Sequence, residues 1–327
     1  MRKALAVAGR LVALGERAED IDSKIVAYAS VGPILHQQGR FAECTKLLKL
    51  VRDLYKPHRL GGFGPTYDPR VAACNWLGYC HLATGRFDQA RQYAQMAVDH
   101  ATAIAQPFVL SMALSIAART FSETGDQETA LDLCHRCIEL CDTQNLPFWK
   151  GWAMASLGIA LERYGKHRQA EARLAQAIED LAARGSRVDS GYMYAWRAQA
   201  LAHLGRFDEA RCVIETGRLE SARSGQLMSL IELAYSRGVT ELLFSGTDDA
   251  TGEHWFNVAL TDSRSVGSRL MELRAATSLA SLWKANGKRR EARDLLRPVV
   301  STFTEGLDCQ DVTAAIALLD SLDMDDS

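Results

Sequence analysis

The sequence predicts an all-helical solenoid built from a repeat of about 40 residues. Three columns of residues support this prediction. Four turn glycines stand 40 residues apart, an alanine follows each by five residues, and a small residue precedes each by seven. The columns read Gly85, Gly125, Gly165 and Gly205; Ala90, Ala130, Ala170 and Ala210; and Gly78, Ala118, Gly158 and Ala198.

The same columns continue towards both ends of the chain. Their further members are Gly32, Gly39 and Cys44 near the start, and Ala280, Gly287 and Ala292 near the end. The small residue lets two helices approach closely, and the turn glycine supplies a left-handed backbone where the first helix ends. The residue five positions later packs where the second helix folds back. Each repeat is therefore predicted to be a helix A, a turn and a helix B.

The helices are predicted in order along the chain. Residues 1–17 hold a lone first helix, interpreted as a B helix of a truncated repeat. Seven pairs follow, at about 21–38 with 41–54, 70–84 with 87–102, 108–124 with 127–142, 149–164 with 167–184, 189–204 with 207–222, 227–244 with 250–266, and 269–286 with 289–303. Ser245 takes the turn position of the sixth pair.

Residues 55–69, rich in glycine and proline, predict a connecting loop. Residues 308–322 predict a C-terminal capping helix. Because a solenoid grows by addition, 1–327 is expected to form a single domain.

The order small residue, turn glycine, alanine resembles the tetratricopeptide repeat. Gly78, Gly85 and Ala90 match this order, and two repeats later residues 158, 165 and 170 (glycine, glycine and alanine) match it again. The unit is longer than the usual repeat of about 34 residues, so each helix is expected to be longer. HEAT and armadillo arrays have similar periods but lack this turn. The expected fold class is all-α, a tetratricopeptide-like α-solenoid forming a right-handed superhelix of about seven helix pairs.

Three stretches carry a closer resemblance. They run from Asp68 through Trp76 to Ala90, from Met271 through Trp283 to Arg289, and over Phe303-Thr304-Glu305-Gly306-Leu307-Asp308. They resemble the C-terminal tetratricopeptide region of large bacterial proteins that join a class III adenylate/guanylate cyclase, or a DNA-binding domain, to a predicted AAA-type ATPase. The resemblance implies a bacterial signalling module without an active site of its own. Cyclase or ATPase activity would belong to other domains of the parent protein.

Composition excludes several other classes. The formal net charge is −2, with 47% hydrophobic and 24% charged residues, which is typical of an ordered chain. This charge balance argues against direct binding of nucleic acid. No apolar run reaches the ~20 residues that span a membrane. The expected location is the cytoplasm, with no membrane partner.

No catalytic motif stands out. Cys134, Cys137 and Cys141 lie on one predicted helix face and raise the possibility of a metal site, but they share repeat columns with core residues such as Leu48. Buried reduced thiols are therefore the favoured interpretation, with a metal site as the alternative. Gly165-Lys166-His167 lacks the pattern of a phosphate-binding loop. No catalytic residue, cofactor or metal ligand is expected.

A recognition surface is expected on the concave side of the A helices. Counting back from each turn glycine places seven side chains there: Asn75, Tyr79, Arg119, Trp152, Tyr192, Gln199 and Tyr235. Aromatic rings with a few polar groups are typical of a groove that binds a partner protein, a peptide or the adjacent ATPase domain. The alternative function is a small-molecule-sensing solenoid that regulates an attached ATPase or cyclase. Burial of the seven side chains against neighbouring repeats is the alternative structural interpretation.

Overall fold

The computed structural model describes residues 2–17, 20–56, 66–186, 190–245 and 250–324, and these ranges contain sixteen helices and no strand. The helices are α1 (Arg2–Arg17), α2 (Ile21–Gln37), α3 (Phe41–Leu54), α4 (Pro69–Ala83), α5 (Phe87–Ile104), α6 (Pro107–Glu123), α7 (Gln127–Gln144), α8 (Pro147–Arg163), α9 (His167–Ala183), α10 (Ser190–His203), α11 (Phe207–Ser224), α12 (Leu227–Ser245), α13 (Ala250–Val266), α14 (Arg269–Ala285), α15 (Arg289–Val300) and α16 (Gln310–Asp323).

The predicted all-α, tetratricopeptide-like solenoid is confirmed. Helices α2 to α15 form seven antiparallel A/B pairs, and α16 packs against α14 and α15. The helix limits differ from the predicted ones by at most three residues. The largest difference is at the end of α15, which ends at Val300 and was predicted to end at 303. Helix α1 packs against α2. The centre of the predicted connecting loop, including Gly61–Gly64, lies outside the described residues. None of the described helices is both long enough and apolar enough to cross a bilayer.

Six of the seven A helices end in a turn whose glycine has a positive φ, the exception being α12, which ends at Ser245. Gly85 and Gly165 have φ values of 76° and 77°, a left-handed conformation that costs other residues roughly 1–2 kcal/mol. The amide of the next residue reaches back five positions, as when Lys166 N donates to Leu161 O at 2.8 Å. This bond belongs to the Schellman motif, which satisfies carbonyl groups at the helix end. The turn starts helix B one residue later.

Small residues let helices A and B of each pair touch. The predicted alanine column is fully buried, as Ala90 and Ala170 show at 0% exposure. Opposite it, a Cβ placed on Gly158 would lie 2.6 Å from Leu174 Cγ, far inside van der Waals contact. A Cβ on Gly78 would meet its nearest neighbour, Ala90 O, at 3.4 Å, an ordinary contact. The two glycines occupy the same repeat column, but only Gly78 has room for an added methyl group.

The ends of the B helices carry a second 40-residue column. Ala105, Asn145, Gly185 and Gly225 all have positive φ, between 53° and 73°. Each supplies the left-handed residue that closes a helix. This column does not stand out in the sequence, because alanine and asparagine replace glycine in half of these four turns.

The superhelix turns far enough for distant repeats to meet. Helix α12 contacts α2, and α14 contacts α4. A Cβ on Gly39 would lie 2.6 Å from Val266 Cβ, and one on Gly85 would lie 2.7 Å from Phe303 Cε1. The inner faces of early and late A helices consequently pack on each other, so the solenoid closes around its own axis.

We predict that Gly158→Ala lowers the free energy of unfolding by about 1–3 kcal/mol, because Leu174 cannot move away without shifting helix α9. Gly78→Ala is the matched control, since its added methyl group has room. It should be neutral or raise stability by up to about 1 kcal/mol through helix propensity. Urea unfolding measures both effects, and equal effects in the two variants would contradict the steric account.

Candidate functional site: the inner face of the superhelix

The structure brings four of the seven predicted groove residues into one cluster. The Arg119 guanidinium group lies 3.9 Å from the centroid of the Tyr192 ring and 5.1 Å from that of Tyr79. The Trp152 ring lies 6.0 Å from Tyr192. These side chains come from helices α4, α6, α8 and α10, all of them A helices. The repeat register therefore identified side chains that share one face of the superhelix.

The remaining three side chains lie on the same series of A helices. Gln199 on α10 donates from Nε2 to Ser236 Oγ on α12 at 2.8 Å. The Tyr235 hydroxyl on α12 lies 3.4 Å from Ser278 Oγ on α14. Asn75 lies on α4 and is 1% exposed. Neighbouring A helices are thus joined by polar contacts along their inner side.

The expected open groove is not what the structure shows. Tyr79, Trp152 and Tyr192 are 3%, 6% and 1% exposed, and Gln199 and Tyr235 are half-buried. The physical reason is close packing of the A helices: the Trp152 ring packs beside Tyr192 of the next A helix, and α14 contacts α4 across the axis. The alternative structural interpretation, burial, is therefore the correct one for this conformation. Whether the seven residues bind a partner remains a prediction.

Buried ion pairs cross the axis of the superhelix. Arg119 contacts Glu123 on its own helix at 3.2 Å and Glu232 on α12 at 3.1 Å. Arg274 on α14 contacts Glu123 at 2.8 Å and Asp311 on α16 at 2.8 Å. Apart from Arg119, these residues were not among the predicted site residues, because the pairs between helices are far apart in sequence and follow no repeat column. We call them, together with Arg163, the axial ion network.

The arginines of the axial ion network keep two of its carboxyl groups, Asp311 and Glu123, ionised. Burial alone would raise the pKa of Asp311, but the nearby Arg163 and Arg274 guanidinium groups outweigh it and lower the pKa to about 2. Burial would likewise raise the pKa of Glu123, and Arg274 and Arg119 lower it. The attraction between opposite charges thus exceeds the cost of removing these carboxylates from water.

A small cavity lies beside the axial ion network. Its volume is about 20 Å³, and its lining includes His36, Tyr79, Arg119, Glu232 and Met271. That volume accommodates one water molecule but no organic ligand. Burial, with a smaller contribution from Arg119, lowers the pKa of His36 to about 3. His36 is consequently neutral at physiological pH and adds no charge to the cavity.

Two predicted groove residues have polar atoms with no hydrogen-bond partner in the part of the chain that the structure describes. They are both side-chain amide atoms of Asn75 and the indole Nε1 of Trp152. A buried polar group without a partner costs about 1–3 kcal/mol. Such groups are rare in folded proteins and call for a specific explanation.

The segment Phe303–Asp308 closes the superhelix on the second repeat. The Phe303 ring stacks on Phe87 with centroids 5.7 Å apart. Gly306 N donates to Asp88 Oδ2 at 3.1 Å. The Arg91 guanidinium group donates twice to Asp308, at 2.7 and 2.8 Å. Two of the stretches that carry the bacterial resemblance therefore contact each other directly.

The cysteines do not gather into a metal site of their own. All eight are free thiols, seven of them buried and Cys212 exposed. Cys137 and Cys141 lie 4.0 Å apart at Sγ on helix α7. Among the described residues, the one His/Cys/Asp/Glu group compact enough to hold an ion is Glu162, His167 and His203, which contains no cysteine. Sequence reasoning missed this group because the two histidines belong to different repeats and show no ligand spacing.

Comparisons with known proteins agree with the fold. The tetratricopeptide-repeat family matches residues 71–95 and 194–216. A search of curated protein sequences finds no match. Among solved structures, a Rap protein complexed with competence and sporulation factor has a TM-score of 0.57 and 14% identity, with 94% of this chain and 77% of that chain covered.

Two further structures are similar. Aspartyl phosphate phosphatase F from Bacillus subtilis has a TM-score of 0.51 and 14% identity, over 92% of this chain and 72% of that one. A signal transduction ATPase with numerous domains (STAND) from Pyrococcus horikoshii, which has a tetratricopeptide repeat sensor, has a TM-score of 0.51 and 11% identity. It covers 100% of this chain, which in turn spans 50% of that protein. At 14% identity or less, these TM-scores show a similar fold and nothing beyond it.

We predict that Asp311→Asn lowers the free energy of unfolding at neutral pH by about 3 kcal/mol, since it leaves the buried Arg163 with a neutral partner and removes one of the two carboxylates that Arg274 contacts. The folded-state pKa of Asp311, about 2, lies below its ordinary value of 3.8. Its stabilising contribution is therefore complete above about pH 5 and disappears as the pH falls towards 2. The gap between wild type and variant should close over that window.

Urea unfolding at a series of pH values measures this gap. Asp294→Asn is the control, because Asp294 pairs with Arg290 at the surface, with 65% and 84% of the side chains exposed. It should change stability by less than about 1 kcal/mol at neutral pH. A gap between wild type and Asp311→Asn that stays constant down to pH 2 would contradict the role of the axial ion network.

Proposed function

We propose that this chain is a non-catalytic protein-interaction and regulatory module of a bacterial signalling protein. Its partner is a protein segment, an extended peptide or the adjacent ATPase domain, and it binds along the inner faces of the A helices. The tetratricopeptide fold supports this proposal, as does the similarity to a Rap protein solved with a bound factor and to a STAND ATPase with a repeat sensor. The bacterial resemblance supports a parent protein with a cyclase or ATPase domain, in the cytoplasm.

The observation that carries the proposal is the unpaired amide of Asn75. It is 1% exposed, and neither of its amide atoms has a partner among the described residues. An amide side chain offers one acceptor and two donors, which match the N–H and C=O groups of an extended peptide backbone. A bound peptide would therefore satisfy groups that the free protein leaves unsatisfied. Trp152 provides a second donor of this kind on the same inner face.

The charges across the axis support a surface that opens. The interfaces between helices A and B are apolar, with alanine and leucine at their centre. The inner faces instead carry the axial ion network. Because buried ion pairs often stabilise a fold no more than apolar residues of similar size do, a permanently closed core has little need for them. An inner face that is periodically exposed to water and partner does need polar groups.

Partner binding then competes with closure. The closed form is held by Arg119–Glu232 across the axis and by Phe303–Asp308 on the second repeat. A partner shifts the population towards an open form only by as much as it binds the open form more tightly. In that form the Tyr79, Arg119 and Tyr192 side chains are free to contact the partner. Regulation follows because closure and binding exclude each other.

We predict that Asn75→Ala weakens binding of peptides selected from a random library on the wild-type protein by about 10–100-fold, the equivalent of one or two hydrogen bonds. Stability should stay within about 1 kcal/mol, because the amide removed had no partner in the free protein. Fluorescence anisotropy and urea unfolding measure the two effects. Trp152→Ala is a poorer test, since removing a buried tryptophan costs about 3–5 kcal/mol by itself.

Asn257→Ala is the matched control. Asn257 is exposed on the outer helix α13, where its amide donates to Glu253 O of its own helix. Peptide affinity should not change in this variant. Equal affinity of wild type and Asn75→Ala for every selected peptide would contradict the proposal. A thermal shift with one class of metabolites, and with no peptide, would favour the small-molecule-sensing alternative.

A further inference from the structure

A histidine pair shares one buried carboxylate at the turn of the fourth repeat. Glu162 lies in the last turn of α8, His167 is the first residue of α9, and His203 is the last residue of α10. The Nδ1 atoms of His167 and His203 lie 2.9 and 2.7 Å from Glu162 Oε1. The two imidazole rings stack, with centroids 4.3 Å apart. Three potential ligand side chains from three helices therefore converge on one point.

Rigid backbone elements hold this convergence in place. The turn at Gly165 brings His167 beside Glu162, because Gly165 N donates to Glu162 O at 2.9 Å. Helix α10 packs against both α8 and α9, which brings His203 next to the same turn. Ligands fixed on helix ends need little rearrangement to bind an ion, so the entropy lost on binding is small.

We propose that Glu162, His167 and His203 form a binding site for a divalent transition-metal ion, with zinc as the best fit. One ligand atom from each of the three residues lies within 4.8 Å of the other two. Two ligands of a tetrahedral zinc ion, each about 2.1 Å from the metal, lie roughly 3.4 Å apart. The observed separations from Glu162 Oε1 are slightly shorter, so modest side-chain rotation admits the ion. Imidazole and carboxylate are ligands that zinc prefers.

The surroundings suit a cation that enters from solvent. The Glu162 side chain is 3% exposed, whereas those of His167 and His203 are 30% and 35% exposed. The buried carboxylate therefore forms the floor of the site, and water can complete the coordination sphere from the open side. Each imidazole would bind through Nδ1 and keep its proton on Nε2, so neutral histidine supplies the ligand.

The basic side chains near the site contact residues other than Glu162. Arg163 contacts Asp311, and Lys166 lies over the Tyr164 ring. Arg206 pairs with Glu209 and Glu171; none of these contacts involves Glu162. None of these three cationic groups therefore competes with a divalent ion for the Glu162 carboxylate.

An ion at this site would join α10 to the preceding A/B pair. Its position beside Arg163, a member of the axial ion network, means that it also stiffens the region onto which α16 closes. The inference is independent of the proposed peptide binding, since the site lies at a turn and its ligands are not groove residues.

Isothermal titration of zinc chloride into the chelator-treated full chain tests the proposal. We expect one ion per chain and a higher melting temperature with zinc, because an ion that binds the folded state stabilises it. His203→Ala should weaken zinc affinity by at least about tenfold and abolish the rise in melting temperature. Because this variant also loses the contact between His203 and the buried Glu162 carboxylate, the zinc-induced rise is compared with the metal-free form of the same variant.

Two matched variants separate this site from adventitious binding. His135→Ala removes an exposed histidine from α7, and Cys212→Ser removes the exposed thiol; both should bind zinc like the wild type. Cobalt should give a tetrahedral absorption spectrum without a thiolate charge-transfer band. Unchanged zinc affinity in His203→Ala, a loss of affinity in Cys212→Ser, or no saturable binding by the wild type would each overturn the proposal.

Discussion

Closure of the superhelix depends on the docking of residues 303–311 onto the turns of earlier repeats. Phe303 packs on Phe87, the Asp308 carboxylate accepts two bonds from Arg91, and Asp311 binds arginines from α8 and α14. In an open solenoid each repeat contacts only its neighbours, and stability is a sum of local terms. Here, contacts over more than 200 residues connect the two ends. The early and late repeats are thereby coupled in one structure.

Because of this coupling, the inner face is buried although it carries charged side chains. Its charged side chains form ion pairs with each other when the superhelix is closed, and water would solvate them if it opened. Two discrete arrangements of the same helices, separated by a few kcal/mol, are what a regulatory element needs. The Glu162 cluster lies next to Arg163 of the axial ion network, and Asn75 lies on α4, a helix that α14 contacts. The two proposed sites are therefore separate: one lies at a turn, and the other lies on the face of an A helix.

The helices and the face of each A helix followed from the sequence, but burial and site composition did not. The Tyr79, Arg119, Trp152 and Tyr192 side chains lie near one another, because helical periodicity fixes which side chains share a face, whereas their role in binding stays a prediction. The repeat register did not reveal that this surface is covered. Glu232 lies 113 residues from Arg119 and in another repeat, so no local pattern connects them. The His167–His203 pair was missed for the same reason.

The turn glycines separate what the sequence determines from what the tertiary structure determines. By itself the sequence determined that each of these positions needs a left-handed residue, because that requirement arises from bonds within one repeat. Only the tertiary structure decided which glycines are also points of contact. Phe303 lies against Gly85, whereas a Cβ on Gly165 would meet nothing within 4 Å. The angles between successive repeats accumulate over seven helix pairs, and their sum selects the turns that the C-terminal segment meets.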